Sequence, residues 1–154
     1  CHVDHVLGLG HMKTAYDCPL RAHPEESGLL GNAPLMGEVF GLKLEALPGI
    51  DKPIADNELI EIGNDSLSAI LVPGHSPGSL SFYSSTGGFV ITGDALFQGS
   101  IGRTDLPGGD FDTLIDSIRK RLLILPPETI VYPGHGDPTS IGDEVSNNPF
   151  LSMA

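Results

Sequence analysis

Four of the six histidines in this 154-residue chain stand in segments whose composition suits metal chemistry. His2 and His5 share the opening stretch Cys1-His2-Val3-Asp4-His5 with Asp4. His75 lies in Pro73-Gly74-His75-Ser76-Pro77-Gly78, and His135 in Pro133-Gly134-His135-Gly136. Asp94 closes Thr92-Gly93-Asp94, directly after an apolar run. Neutral imidazole together with carboxylate is the ligand set of zinc, iron or manganese. His2 and His5 are three residues apart, whereas Asp4 points elsewhere in any regular element. Ligands that cannot all face one ion suggest two ions roughly 3.5–4 Å apart, with one carboxylate bridging them. Asp94, the isolated Asp after a buried strand, is the natural bridge. Taken singly, these residues have ordinary explanations: a His in a turn caps or faces solvent, and Asp after Gly is turn chemistry. Their shared setting, Gly/Pro-rich turns at strand ends, is what those explanations leave out. His11 and His23 lack that setting and read as a helix-surface and a strand-end residue.

Strand and helix signals alternate along the chain, as an α/β or mixed (α+β) layered domain requires. Val6 to Tyr16 has helical character, and Pro19 to Ala22 reads as a short strand. Glu25 to Phe40 reads as one or two short helices broken by Gly31 and Pro34, and Leu47 to Pro53 as a turn-rich connector. A series of strands follows: Leu59 to Ile62, Leu67 to Val72, Ser79 to Tyr83 and Phe89 to Ile91. Turn signals at Asn64-Asp65 and Gly87-Gly88 make the series an antiparallel meander. The clearest helix is Phe111 to Leu123, with Asp110 as its N-cap and Pro126-Pro127 as its stop. Thr129 to Tyr132 is a short β-branched strand ended by Pro133-Gly134, and a last short helix starts near Ser140.

The composition narrows the class of function. Eight basic and 20 acidic side chains give a formal charge of -12, which disfavours nucleic acid and anionic membrane surfaces as partners. The 40% apolar content suits a globular chain, and 154 residues suit one domain, 1–154. Two cysteines cannot make a disulfide scaffold, so a cytoplasmic setting is expected. No run approaches the roughly 20 apolar residues of a membrane span. The chain opens on Cys1 with metal-type ligands where chains fray, which reads as a segment of a longer protein. A processed N-terminal Cys is the competing reading.

The four motifs, in this order and spacing, resemble those of the metallo-β-lactamase-fold hydrolases, and within them the glyoxalase II-like (hydroxyacylglutathione hydrolase-like) group. Cys1 to His5 supplies the last five positions of the family's H-x-H-x-D-H; the other matches are Pro73 to Ser79, Thr92 to Asp94 and Tyr132 to Gly136. The resemblance implies an αββα four-layer sandwich, of which this chain is the C-terminal part, with an N-terminal portion lacking. It implies that His2, His75 and Asp94 hold a first metal, and Asp4, His5, Asp94 and His135 a second. The first motif's leading histidine falls before Cys1, which leaves the first metal one ligand short. The implied cofactors are two divalent metal ions, zinc foremost, with iron or manganese as alternatives. They lower the pKa of a bridging water, so that hydroxide oriented by Asp4 and Asp94 attacks a polarised carbonyl.

The substrate this implies is a small-molecule thioester, such as an S-acylated small thiol. Arg103, in Gly102-Arg103-Thr104-Asp105, either braces its loop through Asp105 or attracts an acidic substrate; bracing is the favoured reading. An alternative function of the same fold is an iron persulfide dioxygenase with a two-His, one-carboxylate face. A further alternative is a catalytically incomplete fragment. The oligomeric state is open.

Overall fold

The computed structural model describes residues 1–152 of the chain, which divides into two compact units, Cys1–Ile54 and Ala55–Ala154. The first is mainly helical. Helix α1 spans Val3–Val6 and α2 Leu9–Tyr16. Strand β1 (Arg21–Ala22) leads through a 3-10 turn, Pro24–Glu26, into α3 (Ser27–Val39). Strand β2 (Lys52–Pro53) then pairs parallel with β1.

Two helical expectations change here. The helix expected from Val6 to Tyr16 is two helices: Leu7 is the C-cap of the first, and Gly8 is the N-cap of the next, its carbonyl accepting the Met12 N–H at 3.0 Å. Glycine is a poor helix-interior residue, so the boundary falls on it. Conversely, α3 is not broken at Gly31 or Pro34; it runs through both. Leu30, Ala33 and Gly37 lie on one buried face of α3, and that packing outweighs the backbone bond that Pro34 cannot donate. Leu30 and Ala33 join Val6 in this unit's small core, with Leu9, Leu20, Leu47 and Ile50 against it.

The second unit is built on a sheet. Its strands are β3 (Leu59–Ile62), β4 (Asp65–Leu71), β5 (Leu80–Ser84) and β6 (Phe89–Gly93). A hairpin of β7 (Leu96–Phe97) and β8 (Ser100–Ile101) follows. Then come α4 (Phe111–Ser117), a π-helical turn over Ile118–Leu122, β9 (Ile130–Pro133), β10 (Thr139–Ser140) and α5 (Ile141–Asn147). Among the described residues the main sheet has six strands, ordered β10-β9-β6-β5-β4-β3. The meander β3 to β6 is antiparallel, as its alternation and turns predict. Strand β9 instead lies parallel to β6, the pairing that a helical crossover permits.

The crossover is well determined locally. The Asp110 carboxylate accepts the Thr113 N–H at 2.7 Å and so caps α4. Leu114, Ile115, Ile118 and Leu122 are buried with Val72, Val90 and Val131. The regular helix expected to Leu123 widens at Ile118, where the Leu123 N–H reaches back five residues to the Ile118 carbonyl. Ile118 and Leu122 both stay fully buried across that wider turn.

This topology decides where ligands can gather. Strands β4 and β6 both run antiparallel to β5, so they point the same way, and β9 is parallel to β6. The C-terminal ends of β4, β6 and β9 therefore reach one edge of the sheet. His75, Asp94 and His135 are the polar residues that follow those ends. Among the described residues no helix is long and apolar enough to cross a membrane.

Candidate metal centre

In the sheet unit, three of the sequence-predicted ligands converge on a single atom. Asp94 Oδ2 lies 3.6 Å from His75 Nε2 and 3.6 Å from His135 Nε2. His75 is 6% exposed, and the side chains of Asp94 and His135 are 13% and 57% exposed. The cluster thus has a dry side and a solvent side.

Glycines make the approach possible. Gly74 takes φ +124°, and a Cβ there would fall on the backbone of Leu114. Gly93 takes φ +52° and turns the chain off β6 so that Asp94 faces the neighbouring loop. The Gly134 N–H donates to the Gly93 carbonyl at 2.8 Å, which joins the Asp94 and His135 loops directly. The Phe97 ring stands edge-on to His135, with centroids 6.3 Å apart.

The His75 ring is oriented from behind. Its Nδ1 lies 2.8 Å from the Arg103 carbonyl, which can only accept, so Nδ1 carries a hydrogen. In the neutral ring Nε2 then presents its lone pair toward Asp94 Oδ2. Two acceptors facing one another across 3.6 Å suit a cation between them. Two donor atoms on one tetrahedral ion, each bound at about 2.0–2.2 Å, stand roughly 3.3–3.6 Å apart. Two imidazole nitrogens and a carboxylate oxygen are donors that zinc and iron both accept. The donor set and its spacing fit a divalent metal.

In the helical unit, His2 is the N-cap position of α1, and the His5 N–H donates to the His2 carbonyl at 3.1 Å. The structure also differs from the spacing expectation here. Asp4 does not point away from its neighbour: its Oδ2 lies 3.6 Å from His5 Nε2. On a single helical turn side chains at adjacent positions can still lean together, which a face-counting rule overlooks. His11 is on exposed α2, and His23 follows β1 and accepts the Glu25 N–H at 3.4 Å.

Arg103 and Asp105 form a bidentate ion pair, with Nε to Oδ1 and Nη2 to Oδ2 both at 2.7 Å. The guanidinium holds the Asp105 carboxyl down at about 2. Residues that sequence reading missed lie behind the β7–β8 hairpin. The Glu144 carboxylate, buried on α5, accepts the Gly99 N–H at 3.0 Å, the Thr139 hydroxyl at 2.7 Å and the Asn148 amide at 2.7 Å. Asn148 also donates to the Ser100 carbonyl at 3.0 Å. Glu144 stands three residues after the buried Ile141. A carboxylate on the apolar stripe of a helix was the available signal.

The family profile described as the Metallo-beta-lactamase superfamily matches residues 1–135. The chain therefore belongs to the metallo-beta-lactamase superfamily of hydrolases and has its mixed α/β fold. The probable metallo-hydrolase YqgX of Bacillus subtilis (strain 168) is 42% identical over 153 residues, 98% of this chain and 72% of that protein. The hydroxyacylglutathione hydrolase GloC of Haemophilus influenzae is 36% identical over 158 residues, again 98% of this chain and 72% of that protein. Among solved structures, TTHA1623 in a di-iron-bound form superposes with a TM-score of 0.89 at 40% identity, covering 97% of this chain and 73% of that one.

Proposed function

We propose that this chain is a metal-dependent hydrolase of a small-molecule thioester, in the manner of a hydroxyacylglutathione hydrolase. The observation that carries the reading is the convergence of His75 and His135 on the Asp94 carboxylate. The likeness to GloC across 98% of the chain supports the choice of an S-acylated thiol. By the family pattern, His2, Asp4 and His5 are metal ligands as well, and the ions are divalent cations with zinc or iron as candidates; the di-iron relative supports iron equally.

When bound, such cations acidify water and polarise a carbonyl. The protein's own groups do the rest. Asp94 takes the shared position between His75 and His135. Asp94 is the carboxylate of the sheet unit that would accept a hydrogen bond from the attacking water and fix its direction, a role that the family pattern gives to Asp4 as well. The half-exposed His135 marks the side from which substrate approaches, and the buried His75 marks the side closed to it. No serine or cysteine nucleophile has a role.

The test combines metal content with thiol release. The chain is loaded with zinc or iron and supplied with an S-(2-hydroxyacyl)glutathione, and released thiol and consumed O₂ are followed together. Metal-dependent thiol release without O₂ uptake is expected. Oxygen uptake with a persulfide substrate, and no thioester turnover, would overturn the proposal in favour of a dioxygenase.

A further inference from the structure

The segment between β8 and α4 holds no proposed ligand, yet it is stitched to both buried ligand loops. The Gly102 N–H donates to the Ala95 carbonyl at 3.2 Å, next to Asp94. The Asp110 N–H donates to the Gly74 carbonyl at 2.8 Å, next to His75. Between these anchors a Cβ at Gly108 would stand 3.0 Å from the Pro77 ring. Gly102 is the tightest point: a Cβ there would overlap the Asp94 carbonyl and stand 3.1 Å from His75 Nδ1. The chain passes this close to both residues because position 102 has no side chain.

The next peptide carries the carbonyl that meets His75 Nδ1 at 2.8 Å. Its direction depends on the backbone of Arg103, whose side chain folds forward onto Asp105 through two 2.7 Å bonds. Both side chains are more than half exposed, so the pair adds little to global stability. Its geometry is nevertheless specific, since a planar fork on a carboxylate fixes orientation as well as distance.

We propose that Gly102-Arg103-Thr104-Asp105 is a positioning device for His75, in which the Arg103–Asp105 fork holds the Arg103 carbonyl on Nδ1 and so leaves Nε2 proton-free toward Asp94. Histidine free in water favours the opposite tautomer, with hydrogen on Nε2, so a fixed carbonyl has a definite preference to reverse. Outer-shell partners of metal-bound histidines change metal affinity by about 10–100-fold when removed. Asp105 acts one step further out, through the carbonyl, and belongs at or below the lower end of that range. The metal consequence rests on the proposed function; the tautomer does not.

The experiment reads both. Imidazole ¹⁵N spectra of the metal-free chain are recorded above pH 8 for wild type, Asp105→Ala, Asp105→Glu and Arg103→Lys. Zn²⁺ affinity is measured on the same samples against a chromophoric chelator. Wild-type His75 is expected to carry its hydrogen on Nδ1. Asp105→Ala should move it toward the Nε2–H form and weaken zinc binding roughly 3- to 10-fold, with amide signals of the core unchanged. Asp105→Glu, which can rebuild the fork, should recover most of the loss; Arg103→Lys, which cannot, should not. An Nε2–H tautomer in wild type, or an unchanged tautomer in Asp105→Ala, overturns the proposal. The expected tautomer shift without thiol release under any metal would sink the hydrolase and leave the positioning device standing.

Discussion

The helical unit and the sheet unit each carry three of the motif residues, but they hold them by different means. Asp4 and His5 ride the single helical turn Val3–Val6, with His2 at its N-cap position, and the one buried residue of that turn is Val6. The core there is Val6, Leu30 and Ala33, and α2 contributes no buried residue. His75, Asp94 and His135 leave the ends of strands backed by Val72, Val90, Val131, Leu114, Ile118 and Leu122, all fully buried. Similar side-chain chemistry is thus mounted once on a short helix with one buried residue and once at strand ends backed by a buried core. The means differ: glycine contacts and strand registers fix the second set, whereas the first rests on one helical turn anchored by Val6 and by the Cys1 amino group on Glu26 at 2.7 Å.

The largest effect that would break this contrast lies at the proposed ligands. Asp94→Asn should lower Zn²⁺ affinity more than about 100-fold, beyond what loss of an outer-shell partner does. His5→Ala should leave the sheet-unit cluster able to retain metal. Equilibrium dialysis with metal analysis decides this; equal loss in both variants would mean the two mountings are energetically equivalent. Next, Gly74→Ala should destabilise the chain by about 3 kcal/mol, from a left-handed backbone and overlap with Leu114. Denaturant unfolding would show it, and a neutral result would mean the loop yields freely.

A smaller effect concerns Asp56, which pairs with Arg121 at 2.8 and 3.0 Å and accepts the Leu71 N–H at 2.8 Å. Burial pushes its carboxyl up, but the bonds from Arg121 and Leu71 more than reverse this and hold it below the ordinary value. Because the folded value is depressed, this stabilisation is complete above the unfolded value of roughly 3.9 and is lost as pH falls through the folded one. Asp56→Asn should cost about 1–2 kcal/mol at neutral pH and flatten the stability profile below about pH 4. An unchanged acid slope would assign the loss to other carboxylates.

One glycine of the helical unit should respond in the opposite sense to an added side chain. Gly31 lies inside α3 with nothing within 4 Å of a built Cβ, so Gly31→Ala should stabilise by about 0.5–1 kcal/mol. A raised melting temperature checks it, and a loss would show hidden packing. Least of all, Lys120→Ala removes an exposed pair with Asp116 and should change stability by less than about 0.5 kcal/mol.

Much of the sheet unit was legible before the structure. Alternation and turn residues located β3 to β6, and Asp110 announced the start of α4. The helical unit was harder to read. Gly8 and Pro34 are both helix breakers by propensity, yet Gly8 separates two helices and Pro34 sits inside one. The difference is tertiary, since Leu30, Ala33 and Gly37 supply a buried face across Pro34 and nothing comparable spans Gly8. The short hairpin of β7 and β8 was invisible because two-residue strands carry no periodicity. It is held instead by Glu144 and Asn148, more than forty residues away along the chain. Among the candidate residues, the approach of His75 and His135 to Asp94 follows from strand direction, which motif spacing alone does not state.

The proposed thioester hydrolysis depends on a metal held by the cluster around Asp94. The direct measurement is the rate of thiol release from an S-(2-hydroxyacyl)glutathione as a function of metal bound per chain. The rate should rise with occupancy from a negligible metal-free value and stay negligible in Asp94→Asn at every metal concentration. A rate independent of bound metal, or undiminished in Asp94→Asn, would contradict it.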